Sequence, residues 1–183
     1  MNKVALVVGG GQTLGAFLSE GLAKEGYDVV VADLNQESAV GTAKDIEGKY
    51  KVSTLGVKVD AANEDDVNKM MDAIKEKFGR VDLLVYSAGI ARSHKITNFP
   101  LADWNLSMAV NTTGYFLCAR EVSKLMIEKE IKGRIIQINS KSGKVGSKHN
   151  SGYSAAKFGG IGLTQSLALD LAEHGITVNS LML

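Results

Sequence analysis

KVALVVGGGQTLG, residues 3–15, decides the fold. Lys3 to Val8 is a β-branched apolar run that reads as a buried strand, and it stops abruptly in Gly9, Gly10, Gly11, Gln12, Thr13, Leu14 and Gly15. From Leu14 the apolar spacing turns helical through Phe17, Leu18, Leu22 and Ala23, until Gly26 ends it. Strand, glycine turn and helix follow one another without a gap. Glycines there let backbone approach a ligand closely, and the free N–H groups at a helix start attract a phosphate. A glycine-rich stretch alone could be only a tight turn; its placement between strand and helix favours a dinucleotide.

Moving outward, Tyr27 to Ala32 reads as a second buried strand and closes with Asp33. In a dinucleotide fold an acid at that point accepts hydrogen bonds from the adenosine ribose hydroxyls and repels a 2′-phosphate, which favours NAD over NADP. Leu34 and Asn35 supply no positive charge for the extra phosphate. The alternative is that Asp33 caps the helix beginning near Gln36. Ala39 to Ile46 carries a weaker helical pattern, and Lys51 to Val59 reads as a third strand. Asp60 follows it, placed either to reach the adenine or to cap the helix whose acidic first turn is Asn63, Glu64, Asp65 and Asp66. That helix lasts to Phe78 and stops at Gly79.

Val81 to Val85 is a fourth strand delivering Tyr86, Ser87, Ala88 and Gly89, small enough after Tyr86 for a nicotinamide ribose to lie against the backbone. Pro100 then opens a long helix, Leu101 to Lys132, with Asp103 in its first turn and Asn111 and Gly114 interrupting its apolar pattern. A buried Asn in a helix is either a satisfied core group or part of a relay.

IQINSKSGKVGSKHNSGYSAAK, residues 136–157, carries the chemistry. Ile135 to Ile138 form a buried strand, and Ser140 sits at its carboxyl end. After a basic loop, Tyr153, Ala156, Lys157, Ile161, Leu163, Leu167 and Leu171 recur at helical spacing. Tyr153 and Lys157 are four apart and share one helix face. A phenol titrates near about 10, too high for a base at neutral pH, but an adjacent ammonium favours the phenolate. Such pairs also occur by chance on helix surfaces. Here Ser140 can hold the oxygen that gains or loses the proton.

Strand and helix alternate to Ile176–Leu183, predicting a Rossmann-type, doubly wound parallel sheet in three layers with right-handed crossovers, α/β in class. Ligands in such sheets sit at the carboxyl ends of the strands, where Gly9–Gly15, Asp33, Asp60, Ser87–Gly89 and Ser140 all fall. The helix Ser151 to Glu173 is small or apolar nearly all round beyond Lys157, so more than the sheet must cover it: a second subunit on it or on the Leu101–Lys132 helix, or other parts of this chain. The 183 residues suit one domain, 1–183. With 45% apolar residues, 22% charged residues and a net charge of +1, nothing indicates a nucleic-acid or membrane partner. The single Cys118, among apolar neighbours, excludes a disulfide framework or a cysteine metal site and reads as a packed, unreactive thiol. The first residues are unlike a signal peptide, so a cytoplasmic protein is expected.

Together the Gly9–Gly15 turn, Asp33, Asp60, SAG at 87–89, NTTG at 111–114, Ser140, and Tyr153 with Lys157 resemble the short-chain dehydrogenase/reductase family over the whole chain. The resemblance implies an NAD-dependent oxidoreductase in which Tyr153 is the acid/base. Lys157 assists it and holds the nicotinamide ribose, Ser140 orients the substrate oxygen, and Asn111 anchors a water linking Lys157 to solvent. It implies cofactor contacts from Gly9, Gly11, Gln12, Thr13, Leu14, Gly15, Asp33, Asp60, Ala88, Gly89, Tyr153 and Lys157. The runs at 80–91 and 133–160 are most similar to members acting on sugar alcohol phosphates, which implies hydride transfer between NAD and C2 of sorbitol 6-phosphate, giving fructose 6-phosphate. A different polyol or hydroxyacyl substrate, or a non-catalytic NAD-binding assembly module, are the other readings. A homotetramer built on the two long helices is also implied. Thr13 stands where the family has its second turn glycine, so the turn is expected to use Gly10 and Gly11. Family members continue beyond Leu183 into a substrate-covering segment and a seventh strand, expected to be absent here. Lys141, Lys144, Lys148 and Arg92, in loops at the strands' carboxyl edge, either bind the substrate phosphate or form a solvated basic surface.

Overall fold

Buried strands rich in Val, Ile and Leu can be covered on both faces only in a parallel sheet layered between helices. The computed structural model, which describes residues 2–183, has this form. Its elements are β1 (Val4–Val8), α1 (Thr13–Lys24), β2 (Asp28–Asp33), α2 (Gln36–Lys49), β3 (Thr54–Lys58), α3 (Glu64–Lys77) and β4 (Leu83–Tyr86). There follow α4 (Leu101–Met108), a π-helical turn (Ala109–Thr113), α5 (Gly114–Glu128), β5 (Arg134–Asn139), α6 (Ser151–Asp170) and β6 (Thr177–Met182). The six strands pair in parallel in the order β3-β2-β1-β4-β5-β6. The order reverses beside β1, and β1 and β4 are neighbours there, which opens a crevice above their carboxyl ends.

Alternation of side chains divides the core between the two faces. Leu6, Val8, Val30, Leu84 and Ile135 pack with Val67, Met70 and Ile74 of α3 and with Tyr115, Val122 and Met126 of α5. Val29 and Val31 pack with Ala39, Ala43 and Ile46 of α2, and Ala5, Val7 and Val85 with Leu18 and Leu22 of α1. Cys118 is fully buried, and burial pushes its thiol up to about 12, as expected of an inert packing residue.

Three expectations change. The long helix is not continuous: a π-helical turn interrupts it at Asn111, and α5 ends at Glu128 rather than Lys132. The glycine turn takes its positive φ values at Gly9 (78°) and Thr13 (45°), not at Gly10 and Gly11, so a β-branched residue occupies the left-handed region. Cover by the rest of the chain does not enclose α6: Phe158 and Leu169 remain 48% and 80% exposed. Among the described residues, no helix is long and apolar enough to cross a membrane.

Candidate active site

The glycine turn is shaped by what lies behind it. The N–H groups of Gly9 and Gly10 both donate to the Ala32 carbonyl, at 2.8 and 3.0 Å, and Gly11 N–H donates to Asp33 Oδ2 at 2.9 Å. A Cβ on Gly15 would lie 1.8 Å from the Gly9 carbonyl oxygen, and one on Gly9 would lie 2.6 Å from Ala88 N. Helix α1 therefore starts flush against the turn. Asn35 caps α2 by accepting from Ser38 N–H, and Asn63 caps α3 by accepting from Asp66 N–H. At α1, by contrast, Gln12 makes no side-chain cap. The first-turn N–H groups of α1 thus have no side-chain acceptor, in the arrangement that suits a pyrophosphate.

In front of the turn lies a cleft of about 520 Å³ whose lining includes Gly9, Gln12, Thr13, Asp33, Asp60, Ala88 and Gly89, together with Leu34, Ser87, Ile90, Arg92 and Val110. Asp33 is not a helix cap. Its Oδ1 accepts from Asn35 N–H at 3.0 Å while Oδ2 holds Gly11, so the carboxylate joins the turn to the end of β2 at the cleft wall. Asp60 Oδ1 accepts from Ala62 N–H at 3.0 Å in a local turn and also lines the cleft; the cap of α3 is Asn63. The residues present fit a dinucleotide. Leu14 and Gly15 lie in the first turn of α1 and are not among the lining residues.

At the other end of the crevice, Lys157 is 5% exposed. Burial pulls its ammonium down from 10.5 to about 8. Its Nζ donates to the Ile138 carbonyl of β5 at 3.0 Å and lies 5.5 Å from the centre of the Tyr153 ring. Asn111, fully buried in the π-helical turn, donates through Nδ2 to the Ile90 and Ser107 carbonyls at 2.8 and 2.9 Å, and its Oδ1 accepts from Ile90 N–H at 3.3 Å. The two groups meet at Gly89, where a Cβ would lie 3.0 Å from Asn111 Oδ1 and 3.6 Å from Lys157 Nζ. The side-chain hydroxyl of Thr112 ties the same turn to α6 by donating to the Ala156 carbonyl at 3.0 Å. Ser140 ends β5, its Oγ accepting from Ser142 N–H at 3.2 Å.

The basic residues are dispersed. Arg92 lines the main cleft, Lys144 lines a concavity between α6 and β6, and Lys148 lines another with His94, Lys95 and His149. Lys141 is exposed just beyond β5. Asp103, expected only to complement the start of α4, joins two of these regions: its carboxylate meets His94 Nε2 at 2.6 Å and Arg92 Nε at 3.9 Å.

Two residues escaped the reading of the sequence. Tyr86 is buried at the end of β4, and its hydroxyl donates to the Val110 carbonyl at 2.5 Å, within the π-helical turn that carries Asn111. A Cβ on Gly114 would stand 2.3 Å from that hydroxyl, so a glycine in mid-helix is the counterpart of a tyrosine in the strand. Asn139 is 3% exposed and faces α6 from β5. Its signal was available: Gln137 and Asn139 alternate within an apolar strand, which puts two polar side chains on one face.

A family profile described as short chain dehydrogenase matches residues 3–183. Sorbitol-6-phosphate 2-dehydrogenase of Escherichia coli is 64% identical, over 100% of this chain and 71% of that protein. A 3-oxoacyl-[acyl-carrier-protein] reductase of Synechocystis is 38% identical over 97% of this chain and 72% of the relative. The crystal structure of sorbitol-6-phosphate 2-dehydrogenase from Erwinia amylovora superposes with a TM-score of 0.96 at 67% identity, covering 98% of this chain and 70% of that one. Parallel sheet, uncapped glycine turn and buried lysine thus coincide with these likenesses: the chain belongs to the short-chain dehydrogenase family.

Proposed function

We propose that the chain is an NAD-dependent dehydrogenase that interconverts sorbitol 6-phosphate and fructose 6-phosphate. The observation that carries the catalytic part is the desolvated Lys157 ammonium, tied to Ile138 and set beside the Tyr153 ring, next to Gly89 of the cleft lining. The substrate part is supported by the 64% and 67% identical relatives, whose names state it. Asp33 supports NAD: its carboxylate lines the cleft beside the glycine turn, where it would repel a 2′-phosphate, and the neighbouring Leu34 and Asn35 offer that phosphate no cation.

A bound nicotinamide cofactor supplies hydride exchange with the substrate carbon. The chain's own residues do the rest. Tyr153 takes the proton from the alcohol, or returns it to the ketone, as general base and acid. Ser140 holds the reacting oxygen by a hydrogen bond. Lys157 stabilises the phenolate and has donors beyond the one given to Ile138 for the ribose hydroxyls. Asn111 fixes the loop Gly89–Ile90, which would hold that ribose when the cofactor is bound. Among the basic residues, Arg92 and Lys148 are the candidates for the phosphate, with Lys141 and Lys144 as outer contacts. Exposed Phe116 on α5 and Phe158 and Leu169 on α6 support a homotetramer assembled on these helices, and the reduced, buried Cys118 is compatible with the cytoplasm.

The test is NADH formation from sorbitol 6-phosphate. Wild type is expected to turn over, and Tyr153→Phe to lose roughly 10²–10⁴-fold in kcat while keeping its NAD affinity. Undiminished turnover in Tyr153→Phe would remove the acid/base role, and NAD binding without turnover in wild type would favour an assembly module.

A further inference from the structure

Lys157 is held by strand β5 at both of its ends. Its ammonium reaches the Ile138 carbonyl at 3.0 Å, and its backbone carbonyl, one residue further along the strand, accepts from Asn139 Nδ2 at 3.1 Å. The same Asn139 side chain turns its oxygen the other way, and Oδ1 accepts from Ser140 N–H at 2.7 Å. One amide thus bonds to the backbone of Ser140 and to that of Lys157. We infer that Asn139 is a positioning residue whose amide locks the Ser140 hydroxyl and the Lys157 ammonium into one register across the reacting oxygen.

Three features carry this. First, the task needs a donor and an acceptor on one short side chain. Serine is too short to span both contacts, aspartate lacks the donor, and the flipped amide would set Nδ2 against the Ser140 N–H, donor against donor. Second, the amide has no slack. A Cβ on Gly143 would lie 2.9 Å from Asn139 Oδ1 and 3.1 Å from the Lys157 carbonyl oxygen, so the loop after β5 closes directly over the bridge. Third, the bridge is itself braced: Asn139 Nδ2 also donates to Gln137 Oε1 at 3.1 Å, and Gln137 is fully buried beneath Gly160 of α6. Polar side chains at this depth are costly unless bonded, and the Asn139 amide is bonded at both of its ends, within β5 to Gln137 and Ser140 and across to Lys157 of α6.

The inference rests on the hydride-transfer reading, so its test has one arm that needs turnover and one that does not. In Asn139→Ala, kcat for sorbitol 6-phosphate is expected to fall by about 10²-fold, the effect of misplacing reacting groups by about an ångström, with KM and NAD affinity within about twofold of wild type. The pH profile of kcat/KM is expected to change shape, because Lys157 no longer stands fixed beside the Tyr153 ring. In the second arm, lysine side-chain NMR follows the Lys157 signal, assigned by its loss in Lys157→Met. Its midpoint near 8 in the nucleotide-free protein is expected to rise in Asn139→Ala as water enters. Should Asn139→Ala fail to fold, Asn139→Ser is read in the same two ways. A lower melting temperature with unchanged kcat, pH profile and lysine titration would overturn the inference and leave Asn139 a purely structural group. If wild type does not turn over, the proposed reaction fails while the NMR arm still decides whether Asn139 sets Lys157.

Discussion

The half of the sheet from β1 to β3 and the half from β4 to β6 build their parts of the crevice by different means. On the first side the crevice is shaped by main chain: glycine N–H groups tied back to the Ala32 carbonyl, and one carboxylate, Asp33, with its oxygens on Gly11 and Asn35. On the second side the shape is set from behind the lining by side chains, Asn111, Lys157, Tyr86 and Asn139, each buried and bonded to the backbone of a different element. Main-chain walls tolerate no added atoms but carry little electrostatic cost. Side-chain walls carry that cost and spread it over long-range contacts.

The sharpest way to break this contrast is Gly15→Ala. Its new Cβ would meet the Gly9 carbonyl at 1.8 Å, and neither partner is a side chain that can turn away. Relieving the overlap means moving α1 or the turn, a cost of about 3 kcal/mol or more, so a large drop in Tm and loss of NAD binding by fluorescence titration are expected. Unchanged values would show that the turn is not rigid. Next in size is Asp33→Ser, which removes an acid from the cleft wall. Charged hydrogen bonds of about 1.5–3 kcal/mol correspond to roughly a 10- to 100-fold shift in the NAD-to-NADP affinity ratio towards NADP, read by titrating both nucleotides.

On the side-chain wall, Lys157 gives a pH signature. Its ammonium titrates at about 8 in the folded chain against an ordinary 10.5, so between those values unfolding takes up a proton and stability rises with pH. Below about 8 both states are protonated and the curve is flat, with the folded state bearing the cost of the buried charge. The nucleotide-free Tm of wild type relative to Lys157→Met is therefore expected to climb from pH 8 to 10 and stay level from 6 to 7.5. A level difference throughout would place the lysine in water. The smallest effect is that of Tyr86→Phe, about 1 kcal/mol in stability for the lost bond to Val110, with kcat falling further than stability because the turn beneath Asn111 loosens. Equal losses in Asn139 and Tyr86 variants at pH 7 would merge the two supports into one.

The same division governs what could be read from residues alone. The architecture was legible because doubly covered strands are near-continuous Val, Ile and Leu runs, and because Gly26 and Gly79 punctuate helices at their ends. The glycine turn was legible as a turn, yet not in detail: Thr13 at φ 45° is held there by the flush start of α1, which no local preference encodes. Asp33 and Lys157 were found because their partners recur at fixed spacing. Asn139 and Tyr86 were missed because their partners, the Lys157 and Val110 carbonyls, are main chain and carry no residue identity. The π-helical turn was visible only as two interruptions, Asn111 and Gly114, in an apolar stripe. The dispersal of Arg92, Lys144 and Lys148 over separate concavities follows from loop paths that composition does not set.

Gly114 and Tyr86 share one small volume, since a methyl group on the first would overlap the oxygen of the second. Positions far apart along the chain are therefore under one steric constraint. A side chain at position 114 requires a shorter residue at position 86, and the phenol at 86 requires a bare backbone opposite. Engineered exchanges between relatives should move the two together, because either half of the swap made alone would leave a collision or a void.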